Sequence, residues 1–519
     1  MKYILALVLV LVLALRLVAL PAIPNGFAWD EIDNSYQAYS LLKTGKDIFG
    51  NPLPVLMHSF ADYKSSLYIY ATVPLVAIFG PNVLAARLPA AIFGLIATLA
   101  LGYVVGRRWG FTWAIVTALV MAVSPWWFHY SRLSFEAVGM LALFLLALAC
   151  LPRKLSLAAL FFGLSIWTYS TAKFFIPAFI LVLLAIYWRQ VKIRSLLVPA
   201  VILALVSLPP LWQSVFGKGG TRFAEIAIFT DPTTEAEVKF ALEEGEISSG
   251  IPKEVGLQPR LIDRLAHNKG QYWLNQFATN YLSFFSTDFL FLKGDPNIRH
   301  SPGRNSIGQF FISDVILLAL GLYVLRSNRA LIAWILLSPI PAAITRDGAS
   351  HATRALFLLP PLVLLIVAGW RKLSQHRFLL TGQLLATGYF LFTFTFYYYS
   401  TYRFESMQPF QWGFDQVAKL AQENSPKYQQ VIIDTGNTSN LMAYLAATKY
   451  DPATLQASHP LSGKFGNLTI RPPGRQSWNS LPPHTLLIFP ANSPTSLPIK
   501  QTIYYPSSLP AFYITDSGF

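Results

Sequence analysis

The chain has 519 residues, 54% of them hydrophobic and only 13% charged, with a mean hydropathy of +0.45. That balance excludes a soluble domain, because apolar runs recur from Tyr3 to Phe396 and many are long enough to cross a bilayer core. The net charge of +15 does not mark a nucleic-acid binder, because the basic residues sit in short clusters between apolar runs, the pattern that orients membrane proteins.

The first run is Tyr3–Leu20, with Lys2 before it. It reads as a signal peptide or a retained anchor; Arg16 and the lack of a small-residue cleavage site before Trp29 favour the anchor. Either way Asp30 emerges on the outer side. Arg16 lies about one turn from the outer end of this run. It can snorkel to the headgroups or serve a site there.

Phe27–Asn34 follows at once, with Asp30, Glu31 and Asp33 within four residues. As a solvated loop, these acids would cap a short helix over Tyr36–Leu42. As chemistry, they would face the other charges that the chain brings to the same side. Asp62-Tyr63-Lys64 precedes a short apolar stretch, Leu67–Phe79, which Pro74 interrupts. A lysine at that boundary is a point charge for a phosphate or an interfacial anchor.

If Leu67–Phe79 crossed the membrane, Arg107-Arg108 would be external and every later basic cluster would invert. Lying in the outer interface, it leaves the pattern consistent. Spans then run over Val83–Gly106, Phe111–Pro125, Phe135–Leu151, Leu155–Thr168, Phe174–Trp188, Ser195–Leu211, Ile307–Leu325, Ala330–Ile344, Ala355–Gly369 and Phe378–Phe396. The inside loops carry Arg107-Arg108, Arg153-Lys154, Arg189/Lys192/Arg194, Arg326/Arg329 and Arg371-Lys372/Arg377. The reading is an all-α polytopic protein of about eleven transmembrane helices, N-terminus cytoplasmic and C-terminus outside. No internal repeat suggests a two-halved transporter. The single cysteine, Cys150, lies in an apolar run, so there is no intramolecular disulfide and no Cys/His metal framework.

The expected membrane module is residues 1–399, with external loops 21–82 and 212–306. Residues 400–519 form an external tail with strand-like Val431–Ile433 and Leu486–Phe489 and helical patterns at Phe414–Gln422 and Leu441–Ala447. It reads as a small extracytoplasmic α/β domain.

More charges fall outside. In the aromatic turn Ser124–Glu136, Arg132 and Glu136 are four apart, a helical ion-pair spacing. Glu136 could instead orient a substrate hydroxyl. Arg87 opens its span from outside. Asp295-Pro296-Asn297-Ile298-Arg299-His300 ends the long loop, and Thr345–Arg354 contains His351. External cations oppose the orientation rule, so Arg299, His300, His351 and Arg354 serve either a bound phosphate or ordinary lipid headgroups.

Arg16, Asp30-Glu31, Thr44-Gly45, the Tyr68–Pro74 stretch, Phe79-Gly80 and Ala86-Arg87-Leu88-Pro89 together resemble the dolichyl-phosphate-mannose–protein mannosyltransferase family. They are closer to its bacterial relatives, which share the GT-C membrane glycosyltransferase fold with the lipid A aminoarabinose transferases. The order Ser131-Arg132…Glu136, Gly294–His300, His351…Arg354 is similar to bacterial members. The likeness spans Arg16 to about Phe396. The sugar-binding insert of eukaryotic members has no counterpart here.

The resemblance implies transfer of a sugar from a polyprenyl-phosphate donor to a protein, lipid or glycan acceptor at the outer face of the plasma membrane. A phosphate ester needs cations to leave, and an acceptor hydroxyl needs one base. Asp30 is then the general base, and Glu31 holds the loop or binds acceptor. Lys64, Arg299, His300, His351 and Arg354, with Arg16 and Arg87, are the donor-phosphate candidates. Asp62, Arg132 and Glu136 are candidates for contacts to acceptor or sugar. No cofactor is required; Asp30, Glu31 and Glu136 could ligate a divalent metal, but no ligand spacing demands one. The competing classes are a lipid-linked saccharide flippase or exporter, which needs a basic cavity but no carboxylate cluster, and a non-catalytic envelope scaffold presenting the tail.

Overall fold

The computed structural model describes residues 2–60, 62–248, 259–434, 439–458, 463–471, 481–493 and 495–517. Helix α1 (Lys2–Leu17) leads through a turn into α2 (Trp29–Thr44). The expected helix over Tyr36–Leu42 is therefore longer, and it is not solvated. Its polar residues Asn34, Ser35, Gln37 and Ser40 are buried, and Asn34, Gln37 and Ser40 donate to the carbonyls of Ser134, His58 and Lys46. Buried polar groups that find partners this way cost little.

An antiparallel hairpin follows, β1 (Leu56–His58) and β2 (Tyr63–Ser65). Then come α3 (Leu67–Phe79), α4 (Val83–Trp109), α5 (Phe111–Val123), the short α6 (Pro125–Tyr130), α7 (Glu136–Cys150), α8 (Leu155–Ile166), α9 (Ala172–Tyr187) and α10 (Leu197–Val215). Among its described residues, the segment expected as one long polar loop holds four α-helices of its own: α11 (Thr221–Ile226), α12 (Thr234–Ser248), α13 (Leu261–Ala266) and α14 (Lys269–Ser283). The apolar set resumes with α15 (Asp314–Leu325), α16 (Arg329–Leu337), α17 (Ile340–Ala343), α18 (Leu359–Leu373) and α19 (Arg377–Tyr397).

Among the described residues, four helical stretches are long and apolar enough to cross a membrane: Val83–Trp109, Ile193–Val215, Leu356–Leu373 and Arg377–Glu405. Eight shorter apolar helices accompany them, Leu67–Phe79 among these. The helices pack closely where glycine allows it. A Cβ on Gly321 would sit 1.9 Å from the Leu365 carbonyl oxygen, and one on Gly369 would sit 2.2 Å from that of Leu317, so α15 and α18 touch backbone to backbone.

After α20 (Arg403–Glu405), the tail folds around a six-stranded sheet of order β4-β5-β3-β6-β8-β7. Its strands are β3 (Gln430–Asp434), β4 (Lys464–Phe465), β5 (Leu468–Arg471), β6 (Thr485–Pro490), β7 (Gln501–Tyr504) and β8 (Pro510–Asp516). The central β3 runs parallel to both its neighbours; the outer pairs are antiparallel. Helices α21 (Phe414–Asn424), α22 (Ser439–Ala447) and α23 (Pro452–Ala457) cover it.

This sheet does not stand apart from α2. Ile32 and Tyr36 of α2 are buried in the same apolar cluster as Val417, Leu445, Leu468 and Ile514. Tyr36 Oη donates to the Tyr450 carbonyl at 2.8 Å, and Gln456 Nε2 donates to Ser40 Oγ, Thr44 Oγ1 and the Asp47 carbonyl.

Candidate active site

Of the three acids at the start of α2, Asp30 and Asp33 share one side and Glu31 points away from them, because successive helical residues are rotated by about 100°. Glu31 turns into the protein. Its two oxygens accept from Arg87 Nε and Nη2, both at 2.8 Å, and also from the backbone N–H groups of Ser134 and Ala28. Arg87 gives its remaining hydrogens to the carbonyls of Leu20, Pro24 and Gly26. Both side chains are essentially inaccessible, at 1% and 0% exposure.

Arg132 is likewise a backbone clamp. It donates to the carbonyls of Leu15, Arg16, Val18 and Ile23, while Arg16 donates to the Val12 carbonyl and Thr98 Oγ1. The expected Arg132–Glu136 helical pair does not form, since α7 begins only at Glu136 and Arg132 lies in the turn before it. Glu31, Arg16, Arg87 and Arg132 thus lie outside the cavity that collects the other candidates. They fasten the end of α1 and the turn after it to α2, α4 and the 131–134 turn.

That cavity has a volume of about 740 Å³ and lies between the start of α2, the hairpin, α7, α9 and the loops at 295–300 and 345–354. Asp30, Asp62, Lys64, Glu136, Arg299, His300, His351 and Arg354 all line it. Sequence positions more than three hundred apart therefore share one wall.

Lys64, on β2, is buried and holds three acids. Its Nζ lies 3.0 Å from Asp30, 3.1 Å from Asp33 and 3.9 Å from Glu136. Burial alone would lower the lysine's pKa, but the carboxylates, Asp30 first, outweigh it and raise the value. Asp33 is fully enclosed and accepts from Ser59 Oγ; its desolvation exceeds the help from Lys64, so its pKa rises. Asp30 is the most accessible of the three acids at the start of α2, its side chain 36% exposed. Its other oxygen faces Arg299 Nη1 at 3.8 Å, and that guanidinium stacks 3.9 Å from the ring centre of Trp29.

The Arg299 loop is fastened from beneath by His129. The Arg299 carbonyl can only accept, which assigns the proton to His129 Nε2 (2.9 Å) and leaves Nδ1 to accept from Tyr398 Oη (3.1 Å). Complete burial pushes the His129 pKa down to about 3. His300 Nδ1 bonds Asp295 at 3.0 Å. Arg354 forms a bidentate pair with Asp347, the nearer contact 2.6 Å, and also donates to Thr345 Oγ1.

Sequence reasoning passed over four groups here: Trp29, Asp33 as a Lys64 partner, Asp347, and above all Lys173. Lys173 lines the cavity from the first turn of α9, and its Nζ donates to Ser214 Oγ at 2.7 Å. Among the described residues it has no carboxylate partner. Its signal was a lysine at the outer edge of an apolar run, the same signal that singled out Lys64.

A family model described as dolichyl-phosphate-mannose-protein mannosyltransferase matches residues 66–212. No curated protein sequence matches the chain. Among solved structures, ArnT from Cupriavidus metallidurans bound to undecaprenyl phosphate aligns with a TM-score of 0.52 at 12% identity, over 99% of this chain and 98% of that one. The oligosaccharyltransferase of Archaeoglobus fulgidus tethered with an acceptor peptide aligns with a TM-score of 0.46 at 13% identity, over 86% of this chain and 63% of that one. The first likeness shows a shared fold; the second is too weak to carry an argument.

Proposed function

We propose that this chain, a GT-C-fold membrane protein with the mannosyltransferase-family pattern over residues 66–212, moves a sugar from a polyprenyl-phosphate carrier to an acceptor hydroxyl outside the membrane. The observation that carries the reading is an accessible carboxylate at the start of α2, Asp30, sharing a cavity with Arg299, His300, Arg354 and the carboxylate-free Lys173. The leaving phosphate needs positive charge as its own charge develops, and a cavity walled by cations supplies it without a general acid. The acceptor hydroxyl loses its proton to Asp30. Displacement in one step inverts the anomeric centre.

Within this reading Lys64 has a different task from the phosphate cations. Three acids already match its charge, so it orients Asp30 and keeps it ionised. Lys173, Arg299 and Arg354 take the phosphate; Asp62 and Glu136 take hydroxyls of acceptor or sugar. ArnT's undecaprenyl phosphate supports a polyprenyl carrier here. The sidedness of the basic clusters supports about eleven spans in a module of residues 1–399, N-terminus inside, with residues 400–519 as an external domain.

Transfer from a defined short-chain polyprenyl-phosphate sugar, measured on purified chain in detergent, tests the reading. Asp30→Asn should cut turnover about 10²-fold or more. Lys173→Met should cut it about 10–10³-fold and weaken the donor's KM. Near wild-type turnover in Asp30→Asn would sink the base assignment. Carrier movement across vesicles with no sugar transfer by the wild-type chain would restore the exporter reading.

A further inference from the structure

The last apolar helix does not run straight into the tail. Between α19 and α20, residues Tyr398–Tyr402 form a π-helical turn. Such turns are rare and occur frequently at functional sites, where the widened turn re-aims its side chains. Here it stacks two phenols on one face. The Tyr398 and Tyr402 rings lie 5.1 Å apart between centres, and both are fully buried. Neither lines the cavity, yet each reaches the loop that carries Arg299. Tyr402 Oη donates to the Ile298 carbonyl at 2.9 Å. Tyr398 Oη donates to His129 Nδ1, and His129 Nε2 donates to the Arg299 carbonyl. The His129 ring stands edge-on to Tyr402, 5.5 Å away, which packs the two lines of contact into one unit. Two consecutive carbonyls are thus held from beneath by a single turn. From within the loop, Asn297 Oδ1 accepts from the Arg299 N–H. The guanidinium at the far end of that side chain, 15% exposed, lies on Trp29 and 3.8 Å from Asp30.

We propose that Tyr402 and Tyr398 are positioning residues, which set Arg299 against the leaving phosphate through the backbone of residues 298 and 299. The phosphate part of this rests on the transfer reading; the placement of Arg299 rests on the hydrogen bonds alone. A long side chain reaches a fixed point only if its backbone is anchored. A cation that stabilises developing charge acts best when it is already in place, and a misplacement of about 1 Å can cost about 10²-fold. The phenols suit that task. Each ring is rigid and enclosed, with its hydroxyl committed to one acceptor, so water does not compete for the bond. Removing the Tyr402 hydroxyl leaves the ring's packing in place and frees the Ile298 carbonyl. The loop then drifts, and the guanidinium leaves the face of Trp29.

The test is Tyr402→Phe in the full chain in detergent, read in two ways. The first is modification of Arg299 by phenylglyoxal, followed by mass spectrometry of its peptide. Arg299 should react several-fold faster in the variant than in wild type, while Arg377, exposed at the start of α19, reacts at one rate in both. Equal Arg299 rates would overturn the proposal, and this measurement needs no donor. The second is transfer from the short-chain polyprenyl-phosphate sugar. Here kcat should fall about 10–10²-fold while KM changes little, because the cation's contact tightens as the phosphate departs. In an Arg299→Lys background the same substitution should lose most of its effect, since two changes at one contact are not additive. Equal losses in both backgrounds would show that Tyr402 supports the fold at large and would overturn the positioning role. Tyr398→Phe, one hydrogen bond further from Arg299, should act in the same direction and more weakly, and it replaces Tyr402→Phe if that variant does not fold. Tyr389→Phe, exposed on α19, should move neither measurement. A wild-type chain without transfer activity would sink the transfer reading and leave the labelling to decide the placement. Normal transfer with unchanged labelling in Tyr402→Phe would sink the positioning role and leave the transfer reading standing.

Discussion

Asp30 and Glu31 are neighbours in sequence with opposite fates. One faces a cavity, and the other is locked against Arg87 beneath the helix. Glu31→Gln leaves an arginine charge buried without its counter-charge, a loss of about 3–5 kcal/mol. It should lower the melting temperature and the folded yield, while the folded fraction keeps its turnover; an unchanged melting curve would show that the pair is dispensable. His129 makes a second prediction. Its folded pKa, about 3, lies below its value in the unfolded chain. As pH falls from about 6.5 towards 3, only the unfolded state gains the proton, so stability drops by about 1.4 kcal/mol per pH unit. Melting temperatures from pH 7.5 to 5 should fall with a steeper slope in wild type than in His129→Gln, and parallel slopes would refute it. The acid cluster itself was legible, since carboxylates and external cations in a membrane protein stand out. Their partners were not. Arg16, Arg87 and Arg132 bind backbone carbonyls, and no residue type announces that a carbonyl will be left over at a turn.

At the scale of elements, α2 shows why a pattern can be obscured. Its inward face carries Asn34, Gln37 and Ser40 as well as Ile32 and Tyr36, so the apolar period of a helix is broken although the helix is largely buried. The expectation of a short helix in a solvated loop rested on reading Asp30 and Asp33 as its caps. In the tail, Val431–Ile433 and Leu486–Phe489 were readable because central strands are continuously apolar, and β3 and β6 contain them. The outer β4 and β7 are short and half-exposed and gave no such run. The close pairing of α15 with α18 supports a test at element level. Gly321→Ala should push the helices apart and lower the melting temperature by several degrees, a cost of about 1–3 kcal/mol. Gly382→Ala on α19, where an added Cβ meets nothing within 4 Å, should be neutral or gain up to about 1 kcal/mol. Equal effects at the two sites would show that the contact is not tight in the membrane.

The molecule as a whole was most legible in its class and least in its assembly. Composition and basic clusters were enough for a polytopic helical protein, and the resemblance pointed to the fold that ArnT shares. The helices within 212–306 were hidden because they are amphipathic and polar, not spans. Sidedness can be measured. In a Cys150→Ser background, a cysteine at Asn82 should react with an impermeant reagent in intact cells and one at Arg108 should not; the reverse result would invert the topology.

The shared core between α2 and the sheet sets an order of events during synthesis. Ile32 and Tyr36 leave the ribosome long before the tail side chains that cover them, from Val417 through Ile514. A growing chain therefore presents this face of α2 uncovered until the tail through β8 has been translated and the sheet has closed. A chain cut short before β8 would leave the Ile32 and Tyr36 face of α2 without its cover, and α2 is the helix that carries Asp30 at its start.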